Sequence, residues 1–380
     1  DEDSGERLAL RPTSETIMYD SYAKWIRSWR DLPLRINQWA NVVRWETEQT
    51  KLFLRSREFL WQEGHNVYET LEECDIETEM MIKEYQKLCK DVLALPTTIG
   101  RKSDREKFAG AVYTLTIEAF MPDGKALQCG TSHNLGQGFA KAFGISFQDR
   151  EGNNGVLPWQ NSWGFSTRLI GATVMLHSDD KGLVLPPKVA KNKVVIVPIL
   201  FEDSRDAVIE TAELLADKLK QFNPYIDDRE EHSPGFKFSE WELKGVPLRI
   251  EIGPKDLDSD SCVVVRRDTG EKQIVEIKDV AQVVEELLEA MHNDLYDKAL
   301  ELQERLTVST NSYEEFKKMI EARKRVQVSF CGREECEEKV KEETGASSRC
   351  QPLDDPEPKH ETCFACKEAA TANFYFSKSY

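Results

Sequence analysis

The residues best suited to chemistry are cations and aromatic rings that lie close together in one segment. Arg44 and Glu46 are two residues apart, so on a strand both side chains would point to the same face. Phe59 and Trp61 share a face in the same way, and Lys51–Leu54 is predicted to resume the strand after a polar loop. Arginine binds phosphate through two parallel hydrogen bonds and stacks on flat rings. The segment therefore suits a phosphate joined to a planar base, although a hairpin with exposed cross-strand ion pairs has the same pattern.

A second segment places an arginine at the start of a predicted helix. The chain runs from a strand through Gly164, which permits close backbone approach, into a helix expected over residues 166–175. Arg168 lies in the first turn of that helix, where the helix dipole mildly disfavours a cation. A bound polyphosphate would account for a cation at this position.

The overall composition excludes several classes of protein. A chain of 380 residues suggests two or three domains, and its 40% hydrophobic content is enough for real cores. The net charge of −17 argues against a generally basic nucleic-acid binder, so any RNA contact requires a local positive patch. Apolar runs such as Val194–Leu200 are too short to span a membrane, and the acidic first residues lack a signal-peptide apolar region. Nine cysteines fit a reducing compartment, and we expect a cytoplasmic protein without a membrane partner.

The first half of the chain alternates predicted helices and strands. Thr13 and Glu15 could simply open a helix that runs to about Trp29. The charged loop Arg101–Lys107 is expected to be a solvated surface. Residues 74–94 predict a packing helix without chemistry, whose apolar side chains are Ile76, Met80, Met81, Tyr85, Leu88 and Val92.

A later strand carries polar residues that are spaced to line one wall. Tyr113–Phe120 predicts a strand, and residues 125–138 predict a strand followed by a glycine-rich turn. Gln128, Thr131 and His133 are two or three residues apart and could share one side of the extended chain. A lone histidine in such a turn is more often structural than functional.

The segment after Leu185-Pro186-Pro187 predicts a separate compact α/β domain. Val194–Leu200 reads as a buried strand, an amphipathic helix follows, and several short strands precede a helix that begins near Val280. Cations in this domain could form the local positive patch that RNA binding requires, and ordinary surface charge is the alternative. These cations are Lys237, Lys244, Arg249, Lys255, Arg266 and Arg267.

Four cysteines near the end of the chain have the spacing of a structural zinc site. Cys331 and Cys336 form one close pair, and Cys363 and Cys366 form the other, which together provide a tetrahedral set of thiolates. Four protein ligands leave no open position for water, so such a site is structural. The alternative ligands nearby are Cys350 and His360.

Three motifs together resemble one enzyme family. The Arg44-x-Glu46 pair with Phe59, and the segment Gly164–Arg168, resemble motifs 2 and 3 of class II aminoacyl-tRNA synthetases. The segment RPTSET, with Thr13 and Glu15, and the segment Pro234–Leu257 resemble the prolyl-tRNA synthetases. The implied fold is α/β and α+β multidomain: a class II antiparallel-sheet catalytic domain (1–187), an α/β anticodon-binding domain (188–307) and a small α+β zinc-binding C-terminal domain (308–380).

The resemblance is to the eukaryotic and archaeal type of these synthetases. The segment between Trp61 and Trp163 is too short for the large editing domain of the bacterial type. Motif 1, through which class II synthetases dimerise, would precede Thr13, so we expect the sequence to begin inside the catalytic domain and the protein to be a homodimer. In this type an aromatic tail ending at a residue like Tyr380 folds back toward the catalytic domain.

The resemblance implies that L-proline is activated by ATP with Mg²⁺ and then transferred to tRNA-Pro. Arg44 and Arg168 would be the catalytic residues. The implied proline-binding residues are Thr13, Glu15, Arg44, Trp61 and His133. The implied ATP-binding residues are Arg44, Glu46, Arg55, Ser56, Phe59, Gln128, Thr131, Ser166 and Arg168, with Gln128 also near Mg²⁺; Cys331, Cys336, Cys363 and Cys366 would hold Zn²⁺.

Other functions remain open from the sequence. A threonyl or histidyl enzyme of the same subclass is one, and Thr13, Glu15 and the Pro234–Leu257 segment argue against it. A synthetase-like binding or regulatory protein is another, and the intact phosphate-binding arginines argue against it. A small-molecule ATP-dependent ligase that uses no tRNA is a third, against which the α/β domain after Val194 argues.

Overall fold

The computed structural model describes Gly5 and residues 9–380. It forms two compact units. One holds the residues up to Leu88, Pro96–Ala172 and Leu302–Tyr380, and the other holds Cys89–Leu95 and Thr173–Glu301.

The first part of the larger unit is an antiparallel sheet with helices packed on it. Neighbouring strands in the order β1-β2-β6-β5-β4-β3 all pair antiparallel, which confirms the predicted sheet. The strands are β1 (Leu34–Val43), β2 (Glu58–Tyr68), β3 (Thr98–Arg101), β4 (Tyr113–Phe120), β5 (Ala126–Gly136) and β6 (Trp159–Ser166). The helices are α1 (Glu15–Trp25), α2 (Leu71–Asp91), α3 (Gly138–Phe143) and α4 (Arg168–His177).

Two predicted elements in this region are wrong. Lys51–Leu54 is not part of a strand, because the chain between β1 and β2 forms turns and Phe53 has a left-handed φ of 59°. Helix α1 ends at Trp25 rather than near Trp29, since Ile26 is extended and buries its side chain in the core.

The buried face of α2 differs from the apolar face that the sequence predicts. Ile76 and Met80 are exposed, and Tyr85 is buried as predicted, whereas Thr78 and Ile82, which lie outside the predicted face, are also buried. The underlying sheet explains the burial of Thr78, because the polar side chains of the strands need hydrogen-bond partners from the helix. Asn161 Nδ2 on β6 donates to the Thr78 hydroxyl at 3.3 Å.

The second unit contains a five-stranded sheet in the order β11-β10-β9-β7-β8. Strand β7 is buried and pairs parallel with both neighbours, while β9, β10 and β11 pair antiparallel. This arrangement confirms the predicted α/β domain. Its elements are β7 (Val194–Pro198), α5 (Arg205–Lys218), β8 (Tyr225–Ile226), α6 (Pro234–Lys244), β9 (Leu248–Ile252), α7 (Pro254–Asp258), β10 (Ser261–Arg266), β11 (Lys272–Glu276) and α8 (Val280–Leu306).

The predicted positive patch of this unit is mostly paired with acceptors. Arg249 contacts Glu242 and Glu251, and Arg266 contacts two aspartates. The remaining pairs are Lys237 with the Asp227 carbonyl, Lys244 with Glu240, and Arg267 with Asp179. Four of the six cations, Lys244, Arg249, Arg266 and Arg267, therefore have carboxylate partners, which reduces the positive charge of the predicted patch.

The C-terminal part extends the catalytic sheet. Strand β14 pairs antiparallel with β3, where Gln351 lies opposite Arg101, so the sheet continues as β3-β14-β15-β13-β12. Aromatic side chains, among them Phe316, Phe330 and Phe364, fill its core. Its elements are β12 (Thr307–Ser309), α9 (Tyr313–Glu321), β13 (Arg325–Phe330), α10 (Glu334–Thr344), β14 (Ser347–Pro352) and β15 (Ala372–Ser377).

Each of the described helices is too short or too polar to span a membrane.

The junction between β3 and β14 requires glycine at position 100. A Cβ at Gly100 would lie 2.5 Å from the Cys350 Sγ and 2.6 Å from the Gln351 carbonyl oxygen. We predict that Gly100→Ala lowers the free energy of unfolding by about 1–3 kcal/mol, as overpacking does, measured by urea denaturation. Gly138→Ala is the matched control, because a Cβ there meets nothing closer than 4.0 Å. Equal stability of the two variants would contradict the close packing of β14 against Gly100.

Candidate active site

All thirteen residues that the resemblance assigns to proline and ATP line one cavity of about 550 Å³. This volume is within the range of small-molecule sites. Strands β2, β5 and β6 form its floor, and further residues come from the loops after β1 and β3, the starts of α1 and α4, β4 and the C-terminus. These thirteen residues are Thr13, Glu15, Arg44, Glu46, Arg55, Ser56, Phe59, Trp61, Gln128, Thr131, His133, Ser166 and Arg168.

Arg44 and Glu46 reach the cavity from a turn rather than from a strand, so the predicted strand geometry is wrong. Strand β1 ends at Val43, and the Arg44 N–H donates to the Arg57 carbonyl at 2.6 Å. The Arg44 guanidinium lies 5.3 Å from the centroid of the Phe59 ring. Phe59 and Trp61 are neighbours on β2, as predicted, with ring centroids 5.6 Å apart and planes at 85°.

Arg168 is half-buried at the first residue of α4, which confirms its predicted place in the first helical turn. Its Nε donates to the Leu54 carbonyl at 2.9 Å and its Nη1 donates to the Gln128 carbonyl at 3.1 Å. Burial lowers its pKa from the ordinary value of arginine. Because both acceptors are neutral, the guanidinium is fixed in place without its charge being cancelled.

A β-bulge brings Gln128, Thr131 and His133 to one wall. The predicted turn in this segment is wrong, since β5 continues to Gly136. Gly130 lies opposite Ile117 and Gln128 lies opposite Glu118, so Cys129 is the extra residue of the bulge. The extra residue shifts the two-residue alternation, and for this reason side chains three apart face the same cavity.

His133 is held as a neutral imidazole. Its Nδ1 lies 2.9 Å from the Thr114 hydroxyl, and the Phe108 ring centroid is 4.8 Å from its own. Burial, with a smaller contribution from the nearby Lys102 ammonium, lowers the pKa of His133 to about 3. The side chain therefore carries no charge at neutral pH.

Thr13 and Glu15 combine two roles that the sequence presented as alternatives. Glu15 is the first residue of α1, so the segment does open a helix. Its carboxylate is also buried beside the Thr13 hydroxyl, and both side chains line the cavity. A buried carboxylate at this position can accept hydrogen bonds from an ammonium group.

The cavity also contains polar and aromatic side chains that the sequence did not single out, among them Glu63, His65, Lys102 and Phe108. Glu63 and His65 continue the alternation of Phe59 and Trp61 along β2, and extending that pattern past residue 61 would have found them. Lys102 and Phe108 lie in or beside the charged loop predicted to be solvated, yet Lys102 is only 6% exposed. No local pattern reveals their position.

Glu63 lies in a buried polar network on the same wall. It contacts the Ser14 hydroxyl, accepts from Gln38 Nε2 at 2.7 Å and lies 2.8 Å from His65 Nε2. Burial alone would raise its pKa, but the hydrogen bonds from His65, Ser14 and Gln38 outweigh burial and lower it. The network therefore holds an ionised carboxylate in the cavity wall.

The cavity contains balanced charges that suit a zwitterion and a polyphosphate. Arg44, Arg55, Lys102 and Arg168 are the cations, and Glu15, Glu46, Glu63 and Glu106 are the carboxylates. Buried side-chain donors such as Trp61 Nε1 have no partner among the described residues and remain available to a ligand. In an enclosed site such groups interact strongly with charges that develop on a substrate.

Tyr380 lines the same cavity, as the resemblance implies for the aromatic tail. Its hydroxyl donates to Asp123 Oδ1 at 2.5 Å, and the Lys51 and Lys125 ammonium groups lie 4.6 Å and 5.1 Å from its ring centroid. The C-terminal part thus contributes a side chain to the cavity.

The four predicted cysteines converge in the C-terminal part. The Sγ atoms of Cys331, Cys336, Cys363 and Cys366 all lie within 4.8 Å of one another. The Cys336–Cys363 and Cys331–Cys366 pairs are 3.8 Å and 3.7 Å apart. Zinc–sulfur bonds of about 2.3 Å in a tetrahedron give sulfur–sulfur distances of about 3.8 Å, so the cluster fits this metal.

The four thiols of the cluster differ in their tendency to ionise. The hydrogen bond between Cys336 and Cys363 lowers the pKa of Cys363 and raises that of Cys336, while burial raises the pKa of Cys331. Arg333 donates to the Cys366 sulfur at 3.2 Å, which places a cation beside the cluster. The alternative ligands lie elsewhere, since Cys350 packs against Gly100 and His360 is exposed.

Three family models match successive parts of the chain. The tRNA synthetase class II core domain (G, H, P, S and T) matches residues 1–177, and the anticodon binding domain matches residues 193–287. The C-terminal domain of prolyl-tRNA synthetase matches residues 313–380, which confirms the predicted C-terminal domain of the eukaryotic and archaeal type.

Curated relatives match nearly the whole chain. The proline–tRNA ligase of Chlorobium phaeobacteroides (strain BS1) is 53% identical over 356 residues, covering 93% of this chain and 73% of that protein. The proline–tRNA ligase of Alkaliphilus oremlandii is 48% identical over 100% of this chain and 78% of that protein. Proline–tRNA ligase 2 of Clostridioides difficile is 49% identical over 99% of this chain and 78% of that protein. Identity at this level across three consecutive domains means that the chain belongs to the prolyl-tRNA synthetase family of class II aminoacyl-tRNA synthetases.

Proposed function

We propose that this chain activates L-proline with ATP to form prolyl-adenylate and transfers the prolyl group to tRNA-Pro. Proline–tRNA ligase is the activity of its family. The observation that supports the reaction best is the single cavity in which three arginines, the Phe59 ring and the buried Glu15 carboxylate come together. A nucleotide triphosphate and a small amino acid require these groups side by side.

In the first step the carboxylate of proline attacks the α-phosphate of ATP and pyrophosphate leaves. No side chain acts as a nucleophile, so the protein accelerates the reaction by alignment and by neutralising charge. We assign Arg44 to the α-phosphate and the proline carboxylate, and Arg55 and Arg168 to the distal phosphates. The neutral carbonyls that fix Arg168 support this role because its charge remains available.

The Phe59 ring provides a planar surface on which the nucleotide base can stack. We assign Phe59 to one face of adenine and the Arg168 guanidinium to the other, with Glu46 accepting from the adenine amino group. Ser56, Thr131 and Ser166 supply hydroxyl groups along the nucleotide, and all line the cavity. Gln128 offers an amide oxygen of the kind that Mg²⁺ accepts, and the ion would neutralise phosphate charge.

The proposed proline site combines the Glu15 carboxylate with uncharged side chains on the other side. We assign Thr13 and Glu15 to the secondary ammonium of proline, and Trp61 and His133 to the side of its ring. The neutral state of His133 supports this assignment, since an imidazolium would repel the ammonium group.

The matched segments support the proposed domains and partners. We propose a catalytic domain at residues 1–187, an anticodon-binding domain at 188–307 that meets tRNA-Pro, and a zinc-binding domain at 308–380, in line with the three family matches. We also propose a cytoplasmic homodimer that uses motif 1. The nine cysteines, all thiols, agree with a reducing compartment.

The alternative functions explain fewer observations. A threonyl or histidyl enzyme does not account for the match to a prolyl-specific C-terminal domain. A non-catalytic binding protein does not account for a half-buried Arg168 that donates to two neutral carbonyls and keeps its charge at the wall of a cavity that Arg44 and Arg55 also line.

Arg44 provides the sharpest test of the cavity. We predict that Arg44→Ala reduces proline-dependent ATP–pyrophosphate exchange by about 10²–10³-fold, the loss typical of removing one group that stabilises transition-state charge. Arg150→Ala is the matched control, because Arg150 is exposed, pairs with Glu69 and lies outside the cavity. Near-normal exchange by Arg44→Ala would refute its assigned role.

The cysteine cluster predicts one zinc ion per chain. We expect Cys336→Ala and Cys363→Ala each to lose bound zinc and to lower the midpoint of thermal unfolding, because a structural zinc stabilises the fold that binds it. Cys262→Ala, a buried cysteine in the other unit, should retain the metal. Elemental analysis of the purified variants measures this, and full zinc content in Cys336→Ala would exclude the site.

The size of the proline site predicts imperfect discrimination against alanine. A missing methylene is worth only about 1–3 kcal/mol of discrimination, and the described segment between Trp61 and Trp163 contains only α2, α3 and β3–β5 besides loops. We therefore expect measurable ATP–pyrophosphate exchange with alanine, with glycine as the smaller comparison. Exchange with alanine at the level of a no-amino-acid blank would disprove the expectation.

A further inference from the structure

Three buried charged side chains form a network behind one wall of the cavity. The Lys102 ammonium donates to Glu118 Oε1 at 2.8 Å, and the Arg349 guanidinium donates to Glu118 Oε2 through Nη2 at 2.9 Å and Nε at 3.2 Å. None of the three side chains is more than 8% exposed. One carboxylate is thus shared by two cations, which leaves the network with a net positive charge.

The network joins two domains of the larger unit. Lys102 follows β3 and Glu118 lies on β4, whereas Arg349 lies on β14 of the C-terminal part. Lys102 lines the cavity, while Glu118 and Arg349 stand behind it. Arg349 can therefore act on a substrate only through Glu118 and Lys102.

We propose that Arg349 of the C-terminal domain is a positioning residue for the active site. Arg349 holds the Glu118 carboxylate, and Lys102 can then present its charge to the carboxylate of bound proline. This inference rests on the proposed binding of proline in the cavity. Neither Lys102 nor Arg349 is among the residues that the resemblance assigns to a substrate.

The position of Lys102 indicates proline rather than ATP as the substrate affected. The backbone N–H of Lys102 donates to the Thr114 carbonyl at 2.9 Å, and the Thr114 hydroxyl lies 2.9 Å from His133 Nδ1. Phe108, six residues further along the chain, packs against the His133 ring. Lys102 thus belongs to the wall that holds His133, which we assign to the proline site.

The C-terminal domain fixes this loop at a second point. The Ser103 hydroxyl lies 3.1 Å from the Ser348 hydroxyl, and Ser348 donates to the Glu337 carboxylate at 2.5 Å. Lys102 and Ser103 of the loop are therefore connected to β14, Lys102 to Arg349 through Glu118 and Ser103 directly to Ser348. The C-terminal domain therefore helps to position the loop, in addition to the backbone hydrogen bonds that the loop makes with Thr114 and within itself.

The charge balance explains why two cations are needed. Burial would raise the pKa of Glu118, but the charges of Arg349 and Lys102 outweigh burial and lower it to about 2, so this carboxylate is ionised. Without Arg349, Glu118 would neutralise Lys102 alone and draw its ammonium away from the cavity. The cavity would then contain three effective cations against four carboxylates, and a carboxylate substrate would bind less well.

Steady-state ATP–pyrophosphate exchange on the full chain tests the proposal. We expect Arg349→Met to raise the KM for proline by about tenfold, the scale of one charge-assisted hydrogen bond, with the KM for ATP changed less than about twofold. Lys102→Met should give the same pattern, and Arg349→Lys, which keeps the charge, should restore most of the proline affinity. Active-site titration corrects each value for the fraction of folded enzyme.

Arg325→Met is the matched control. Arg325 is also a buried arginine of the C-terminal domain, and it donates to Thr98 Oγ1 on β3 at 3.0 Å. It does not line the cavity, and its described hydrogen bonds are to Thr98 and Thr307 rather than to Glu118, which acts on it only through a weaker electrostatic interaction. It should lose stability without a selective change in the KM for proline.

Two results would overturn the proposal. An unchanged KM for proline in Arg349→Met, with normal exchange by the unmodified chain, would exclude the positioning role while leaving the proposed function intact. A parallel rise in both KM values in Arg349→Met and Arg325→Met would reduce Arg349 to a purely structural role. Absence of proline-dependent exchange in the unmodified chain would instead refute the proposed function itself.

Discussion

The active site depends on fixing partly or fully buried cations at the cavity wall without cancelling their charge. A buried cation costs free energy unless it is paired, yet a fully paired cation contributes little to an anionic substrate. The structure solves this in two ways: Arg168 donates to two neutral carbonyls, and Lys102 shares the single carboxylate of Glu118 with Arg349. Both arrangements fix the cation in place and leave positive potential inside the cavity, where electrostatic interactions are strong.

The sheet supplies the rigidity that this arrangement requires. Three adjacent antiparallel strands, β2, β6 and β5, form the cavity floor, so their side chains are fixed by a continuous hydrogen-bond ladder. The bulge at Cys129 adjusts one strand so that Gln128 joins Thr131 and His133 on the same wall. Because β14 extends this sheet beyond β3, the C-terminal domain is joined to the same hydrogen-bonded sheet as the strands of the floor.

Local patterns predicted most elements and many site residues. The two-residue alternation of Phe59 and Trp61 is a local property of β2, and the buried strand at Val194 was evident from its apolar run. Lys102 was assigned to a solvated loop because its neighbours are charged. Its burial depends on Arg349, which shares Glu118 with it and lies 231 residues beyond Glu118 in the chain, and no local pattern contains that information.

The sequence by itself determined which chemical groups are present, how the strands alternate and how the four cysteines are spaced, since each follows from residue type and short-range geometry. Its resemblance to one synthetase family then indicated thirteen residues for the substrates. Only the tertiary structure decided that Arg44 reaches the cavity from a turn, that a bulge aligns Gln128 with Thr131, and that Lys102 is buried. The physical reason is that propensities act over a few residues, whereas desolvation and charge pairing depend on segments that meet only when the chain folds.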